Sequence, residues 1–267
     1  MASSSEQLDS KNNPSYRAIF FDLDGTLLPM EMEDFLRAYY RALGACVAAQ
    51  GYDPKVFSDA LNKGVDAMIS HKDGRRNSEV FWETFYSQVD PHAFDWEGVL
   101  TDFYENEFGT IGDSVAPNPK ANQVVQLLKD KGYPLLLTTM PLFPEVAVDW
   151  RLRWADLNPK DFVRITHYEN SRAAKPQLAY YQENLKACGL DGTEVLMVGN
   201  NTVEDVSISK LGADVFLVTD MLIDDIGFDL STVKSGSFEE FAAWVETLPN
   251  CADPATGIEA GLLDASS

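Results

Sequence analysis

Basic residues are scarce in this chain. Lys and Arg number 21 against 42 Asp and Glu, a formal net charge of −21. Nucleic-acid backbones and anionic membrane surfaces are gripped by clustered Lys and Arg, so this balance excludes both as expected partners. It leaves anionic small molecules open, because a metal ion and a few placed cations can dominate the field locally. Cysteine is also rare: Cys46, Cys188 and Cys251 are far apart, odd in number and form no C-x-x-C, which excludes a disulfide framework or a zinc knot. Cys46 falls in an apolar helical stretch and reads as a small core residue. His71, His92 and His167 have no ligand spacing. No apolar run approaches the ~20 residues of a membrane-spanning helix. The Ser/Asn/Asp-rich start, Met1 to Pro14, lacks the apolar segment of a signal peptide. A reducing, cytoplasmic setting is the expectation.

What is present is concentrated at one place. Ala18-Ile19-Phe20-Phe21 is a short apolar run that stops at Asp22-Leu23-Asp24-Gly25-Thr26. Such a run, closed by Asp-Gly, predicts a buried strand entering a tight turn. Strands buried on both faces belong to parallel sheets, and ligands of those sheets bind beyond the carboxyl ends of the strands. Asp22 and Asp24 therefore stand at the mouth of a site. A carboxylate there can serve as a nucleophile toward phosphorus. Two carboxylates so close need a cation or a proton between them, and Mg²⁺ suits that place because it takes oxygen ligands.

The rest of the chain divides by periodicity. Residues 1–15 are polar and read as disordered. From Glu31 to Phe108 apolar residues recur at three- and four-residue steps in four segments with no strand between them, a helical insertion spanning 30–115. Its aromatic residues read as its core. From Pro117 onward strands and helices alternate. Strands are expected at Leu135–Thr139, Phe162–Thr166, Glu194–Gly199 and Val215–Val218. Helices are expected at Asn122–Lys131, Glu145–Ala155, Pro176–Cys188, Val203–Leu211 and Phe238–Leu248. Alternation of this kind predicts an α/β fold, a Rossmann-like doubly wound parallel sheet with right-handed crossovers, built from 16–29 and 116–250. Residues 251–267 read as a loose tail.

Phe21-Asp22-Leu23-Asp24-Gly25-Thr26-Leu27 resembles the first motif of the haloacid dehalogenase-like (HAD) hydrolases, and three later segments resemble the other motifs in the family order. The resemblance spans about Tyr16 to Asp225, and the helical insertion falls where the family places its C1-type cap. It implies that Asp22 is the nucleophile, that Asp24 is the general acid/base, and that Mg²⁺ is the cofactor. It implies a phosphate-binding Thr at the end of the second strand: Thr139, with Thr138 the alternative register. Gly25, Thr26 and Lys175 would join it around the phosphoryl group. Lys175, before Pro176 at a helix start, supplies the fixed positive charge. The fourth motif departs from the family. Gly199-Asn200-Asn201-Thr202-Val203-Glu204-Asp205 carries Asn200, or Asn201, where an acid normally binds the metal. An Asn offers a carbonyl oxygen without charge. The implied metal set is Asp22, Asp24, Asn200 and Asp205, with Asn201 and Glu204 as further candidates.

The expectation is a Mg²⁺-dependent phosphoric monoester hydrolase acting on a small phosphorylated metabolite through an aspartyl-phosphate. Arg75 and Arg76, in a loop of the insertion, are candidates for pairing with an anionic leaving group. Related dehalogenases attack carbon with the same Asp but lack the second, so Asp24 speaks for phosphorus. A phosphonatase would need a cap lysine, for which Lys55, Lys63 and Lys72 are equal candidates. A phosphomutase would use the same core. A weakly active or non-catalytic binding protein is the reading from another class, motivated by Asn200, Asn201 and Met140.

Overall fold

The computed structural model describes residues 15–260. The expected disorder of residues 1–14 and the last part of the tail, 261–267, lie outside the described residues. The first strand, β1 (Ala18–Phe21), is buried at every position. A helical insertion follows: α1 (Met32–Ala49), α2 (Pro54–Ser70), α3 (Asn77–Tyr86) and α4 (Trp96–Asp102), the last continuing through a π turn and a 3-10 turn to Ser114. Then come α5 (Pro119–Asp130), β2 (Leu135–Leu137), α6 (Glu145–Trp154), β3 (Arg164–Ile165), α7 (Leu178–Cys188), β4 (Val195–Gly199), β5 (Asp214–Val218), β6 (Lys234–Gly236) and α8 (Phe238–Thr247). The sheet is parallel throughout, in the order β3-β2-β1-β4-β5-β6.

This topology positions the site. The chain winds outward from β1 through β2 to β3, then returns to β4 and winds the other way. Strand order thus reverses beside β1, where a crevice opens past the strand ends. Phe21 registers with Leu137 on one side and Val198 on the other. The residues just beyond them, Asp22, Thr138 and Gly199, therefore end side by side. Alternation along the strands feeds two cores. Ile19, Phe21, Leu137 and Val198 pack with α5, α6 and α8, while Ala18, Phe20, Leu136 and Met197 pack with α7.

In the insertion, Phe35, Tyr39, Leu43 and Val47 form the buried stripe of α1. Asp53 caps α2, its side chain accepting from the Lys55 N–H at 2.8 Å, with Pro54 at the first helical position. Helices α2 and α3 approach closely at Gly64, where an added Cβ would lie 2.6 Å from the buried Phe81 ring. Gly64→Val is expected to lower stability by about 1–3 kcal/mol through overpacking, read from urea unfolding midpoints. Asn77 fastens the insertion to the core. It is fully buried, and its amide donates to the carbonyls of Pro141 (3.1 Å) and Ala173 (3.2 Å), while its backbone N–H donates to Ser171 (2.9 Å).

Several sequence expectations are corrected. The strand β6 was not expected, because Lys234-Ser235-Gly236 has no apolar signal and lies at the sheet edge. The expected helix Val203–Leu211 is instead a turn followed by a 3-10 segment, Val206–Leu211. Helix α7 begins at Leu178, so Pro176 sits in the turn before it and not at its first position. The supposedly loose tail is fastened over residues 251–260: Cys251 N–H donates to Lys131, Ala255 N–H to Arg17 and Glu259 N–H to Ala187, across the edge opposite the site. Among the described residues no helix is long and apolar enough to cross a membrane.

Candidate active site

Strand ends converge to form a buried charge cluster. The Lys175 ammonium lies 2.7 Å from Asp22 Oδ1 and 2.7 Å from Asp205 Oδ1, with its side chain wholly buried. The second Asp205 oxygen accepts the backbone N–H groups of Asn200 and Asn201, each at 3.0 Å. That fold-back requires Gly199, since a Cβ there would lie 2.2 Å from the Asp205 carboxyl carbon. Thr26 Oγ1 bridges Asp22 Oδ2 (3.3 Å) and Asn200 Oδ1 (3.4 Å). Gly25, with φ of +79°, turns the chain beneath Asn200, whose amide nitrogen an added Cβ would meet at 2.1 Å.

The structure separates residues that spacing alone could not. The Thr138 hydroxyl turns back to the Phe21 carbonyl at 3.2 Å. The Thr139 hydroxyl is buried with no hydrogen-bond partner. Of the pair, Thr139 therefore holds the donor that remains available. Asn200 donates its amide to the Met221 carbonyl at 2.7 Å, which fixes the flip and leaves Oδ1 facing the Thr26 hydroxyl. Asn201 spends Oδ1 on the N–H groups of Val203 and Glu204, so it is a turn former at the cavity wall. Asp205, expected among the metal ligands, is engaged within the protein. Lys175 and two backbone amides occupy its oxygens, and it does not line the cavity.

A cavity of about 650 Å³ opens above Asp22 and Asp24, between the strand ends and the insertion. Arg75 and Arg76 do not reach it. Arg75 pairs with Asp73 and Glu83 on the exposed loop. A cation that no sequence motif marks does reach it: Arg151, on α6. Its guanidinium pairs with one Asp24 oxygen and lies over the Phe143 ring, 4.8 Å from the centroid. The other Asp24 oxygen, Oδ1, and Arg151 Nη2 are buried without partners. The available signal was that Arg151 occupies the buried face of α6 with Ala147, Val148 and Leu152.

Charge crowding shapes the titration of this cluster. Burial, with Asp205 and Asp24 nearby, pushes Asp22 up to about 7 against the pull of Lys175. Burial, with Asp205, Asp22 and Asp24, likewise pushes Glu204 up to about 7. Burial alone would depress the Lys175 ammonium, but Asp205 and Asp22 hold it well above the usual lysine range. Both raised acids disfavour the ionised form in the folded state. Their contribution is full below the unfolded values and is lost as pH rises toward 7. Metal-free protein is therefore expected to melt roughly 5 °C lower at pH 7.5 than at pH 5. Added Mg²⁺ should recover part of that loss, and scanning calorimetry at the two pH values reads both effects.

The donor chemistry fits Mg²⁺. Among the described residues no three acidic, His or Cys side chains form a ready metal cage. Asp22, Asn200 and Glu204 nevertheless line one cavity with oxygen donors, and the unpartnered Asp24 Oδ1 lies beside them. Hard oxygens and surplus negative charge are what a small divalent cation requires. The amide at Asn200 offers less charge than a carboxylate would.

A family model described as "haloacid dehalogenase-like hydrolase" matches residues 16–210. No curated protein matches the chain. Among solved structures, the chain is similar to a HAD phosphatase from Thermococcus onnurineus, at 16% identity and a TM-score of 0.55, over 88% of this chain and 99% of that one. It is also similar to a defluorinating L-2-haloacid dehalogenase, at 17% identity and a TM-score of 0.54, over 87% of this chain and 96% of that one. A second L-2-haloacid dehalogenase gives 14% identity and a TM-score of 0.52, over 87% and 100%. At these identities the likeness concerns the fold.

Proposed function

The chain belongs to the haloacid dehalogenase-like hydrolase family, and from that premise we propose that it is a phosphoric monoester hydrolase acting on a small phosphorylated metabolite. The observation that carries this reading is Asp24. Its carboxyl group lies two residues from Asp22, lines the same cavity, and keeps Oδ1 buried and unpartnered while Arg151 holds its other oxygen. A carboxyl placed so, with one oxygen free of structural bonds, is suited to proton transfer.

In the proposed mechanism, an Asp22 oxygen attacks phosphorus in line as the bond to the leaving oxygen breaks. Asp24 gives that oxygen its proton. It then takes a proton from the water that hydrolyses the aspartyl-phosphate, which frees Asp22 and releases phosphate. Lys175 keeps a fixed positive charge on Asp22 throughout. The Thr139 hydroxyl and the backbone around Gly25 and Thr26 would receive phosphoryl oxygens. Asp22, the Asp24 carbonyl, Asn200 and Glu204 would hold Mg²⁺, which supplies charge to offset that of the phosphoryl group. The insertion, 30–115, serves as a cap that excludes bulk water. The test is turnover of a generic aryl phosphate with and without Mg²⁺. Steady Mg²⁺-dependent release of phosphate supports the reading; none at any Mg²⁺ concentration overturns it and favours a non-catalytic binding protein.

A second reading has its own support. Asn200 stands where an acid is expected, and its amide leaves the cavity floor with less negative charge for a metal than a carboxylate would. That feature suits attack by Asp22 on a carbon bearing a halogen. Halide release from 2-chloropropionate in the presence of a chelator would establish that reaction in place of phosphate chemistry.

A further inference from the structure

The cavity is far larger than a phosphoryl group needs, and its walls differ from end to end. The floor carries Asp22, Asp24, Asn200 and Arg151. The space above the floor is bounded by Leu36 of α1, Val65 and Ile69 of α2, Trp82 of α3, Leu100 of α4 and Leu142 beyond β2. Phosphoryl chemistry at the floor would therefore leave the alcohol portion of a monoester against aliphatic and aromatic side chains.

Charge and hydrogen bonding narrow the choice. Among the described residues Arg151 is the one Lys, Arg or His side chain that lines the cavity, and it is paired with Asp24. A second phosphate or a carboxylate on the substrate would enter that upper space without a cation, at a large desolvation cost. Glu97, Glu145 and Glu169 lie toward the open side and would repel such a group. Among the described residues no three acidic side chains are grouped to hold a metal ion, and two of these glutamates already accept protein donors. Glu97 accepts the Tyr86 hydroxyl at 3.1 Å, and Glu169 accepts the Glu145 backbone N–H at 3.2 Å. Several wall hydroxyls are turned to protein partners: the buried Tyr104 and Tyr39 hydroxyls bond each other at 2.7 Å, and the Tyr40 hydroxyl donates to Asn62. Thr101 and Tyr168 also line the cavity, but most of the upper wall is leucine, valine, isoleucine and aromatic rings, so most hydroxyls of a sugar would lack partners there.

Resting on the phosphatase reading above, we propose that the substrates are phosphate monoesters whose leaving group is apolar and uncharged, an aryl or branched-alkyl alcohol. In the reaction the phosphorus–oxygen bond to that alcohol breaks, an Asp22–phosphorus bond forms, and the alcohol leaves with the Asp24 proton. Water then cleaves the acyl-phosphate and returns its proton to Asp24. Arg151 and Lys175 belong to the phosphoryl end, and the wall formed by Val65, Ile69 and Trp82 selects the leaving group.

The test compares kcat/KM for 2-naphthyl phosphate, glucose 6-phosphate, choline phosphate and 3-phosphoglycerate. The naphthyl ester is expected to lead the others by roughly 100-fold or more, the scale of burying two fused rings. Trp82→Ala is expected to shrink the naphthyl-to-glucose ratio about tenfold. Val65→Lys is expected to raise 3-phosphoglycerate relative to the naphthyl ester. Both are ratios within one variant, so partial loss of folded protein does not affect them. A lead for any polyol, cationic or dianionic ester overturns the proposal. Calorimetric binding of 2-naphthyl phosphate and glucose 6-phosphate to Asp22→Asn keeps this separate from the phosphatase reading. If no ester is turned over, that reading falls, and tighter binding of the naphthyl compound still upholds the apolar pocket while equal binding rejects it.

Discussion

Asp22→Asn is expected to reduce aryl phosphate turnover by on the order of 10⁴-fold or more while leaving the fold in place. The loss follows from chemistry: an amide oxygen does not form the acyl-phosphate that divides hydrolysis into two displacements. The survival of the fold follows from the charge balance around Lys175. That ammonium contacts Asp22 and Asp205, both at 2.7 Å. Neutralising Asp22 leaves one buried cation facing one buried carboxylate, and the Asn oxygen still accepts the Lys175 proton. Stability at pH 7 is thus expected to stay within about 1 kcal/mol of the unsubstituted protein. Acid-quench mass spectrometry should detect phosphorylated Asp22 in the unsubstituted chain and none in the variant. Comparable turnover in the two would remove Asp22 from the reaction.

Lys175→Met makes the opposite demand on the same cluster. The methionine fills a similar volume without charge, so Asp22 and Asp205 are left facing each other in a buried site. Breaking a buried ion pair by removing one partner costs about 3–5 kcal/mol, because the remaining charge is stranded. Here two carboxylates are stranded, so the variant is expected to lose at least that much at pH 7, measured by urea unfolding. The deficit should shrink at pH 5, where protonation relieves the repulsion. Activity is expected to disappear as well, even under conditions in which the variant is folded. A variant as stable as the parent at pH 7 would mean that the three groups are not coupled as the distances indicate.

Much of this site could be read from the chain, for reasons tied to particular residues. Asp22 and Asp24 stood out because an apolar strand and an Asp-Gly turn leave distinct local signals. The parallel sheet followed from alternation of strands with helices. Lys175 was identifiable as a residue, although the turn that carries it differs from the expected helix start. The role of Asp205 was not legible. Spacing places an acid six residues after Gly199, but nothing local reveals that its carboxylate folds back beneath two amides. Arg151 and Asn77 escaped for a related reason. Each acts on partners distant in sequence, with Arg151 separated from Asp24 by 127 positions. Helix periodicity registers the polarity of such residues but not the partner that tertiary structure brings to them. Arg75 illustrates the converse. A cation in a promising loop was satisfied by its own neighbours, Asp73 and Glu83.

The central place of β1 in the sheet has a consequence for how the chain is made. The strand is wholly apolar, yet both of its neighbours are translated after the helical insertion. Contacts so distant in sequence form slowly, because their closure entropy must be overcome first. The insertion is different in kind: α1 and α2, and α2 and α3, are adjacent in sequence and pack on each other, so they can associate while the later strands are still unmade. The Lys175 bond to Asp22 spans 153 positions and closes only after the third strand has been made. A nascent chain halted before β2 would carry a helical lobe and an unpartnered β1, without Lys175 or the loop that follows β4. In this protein the Lys175 cluster and the pairing of β1 on both sides arrive together, before β5 and β6 are made.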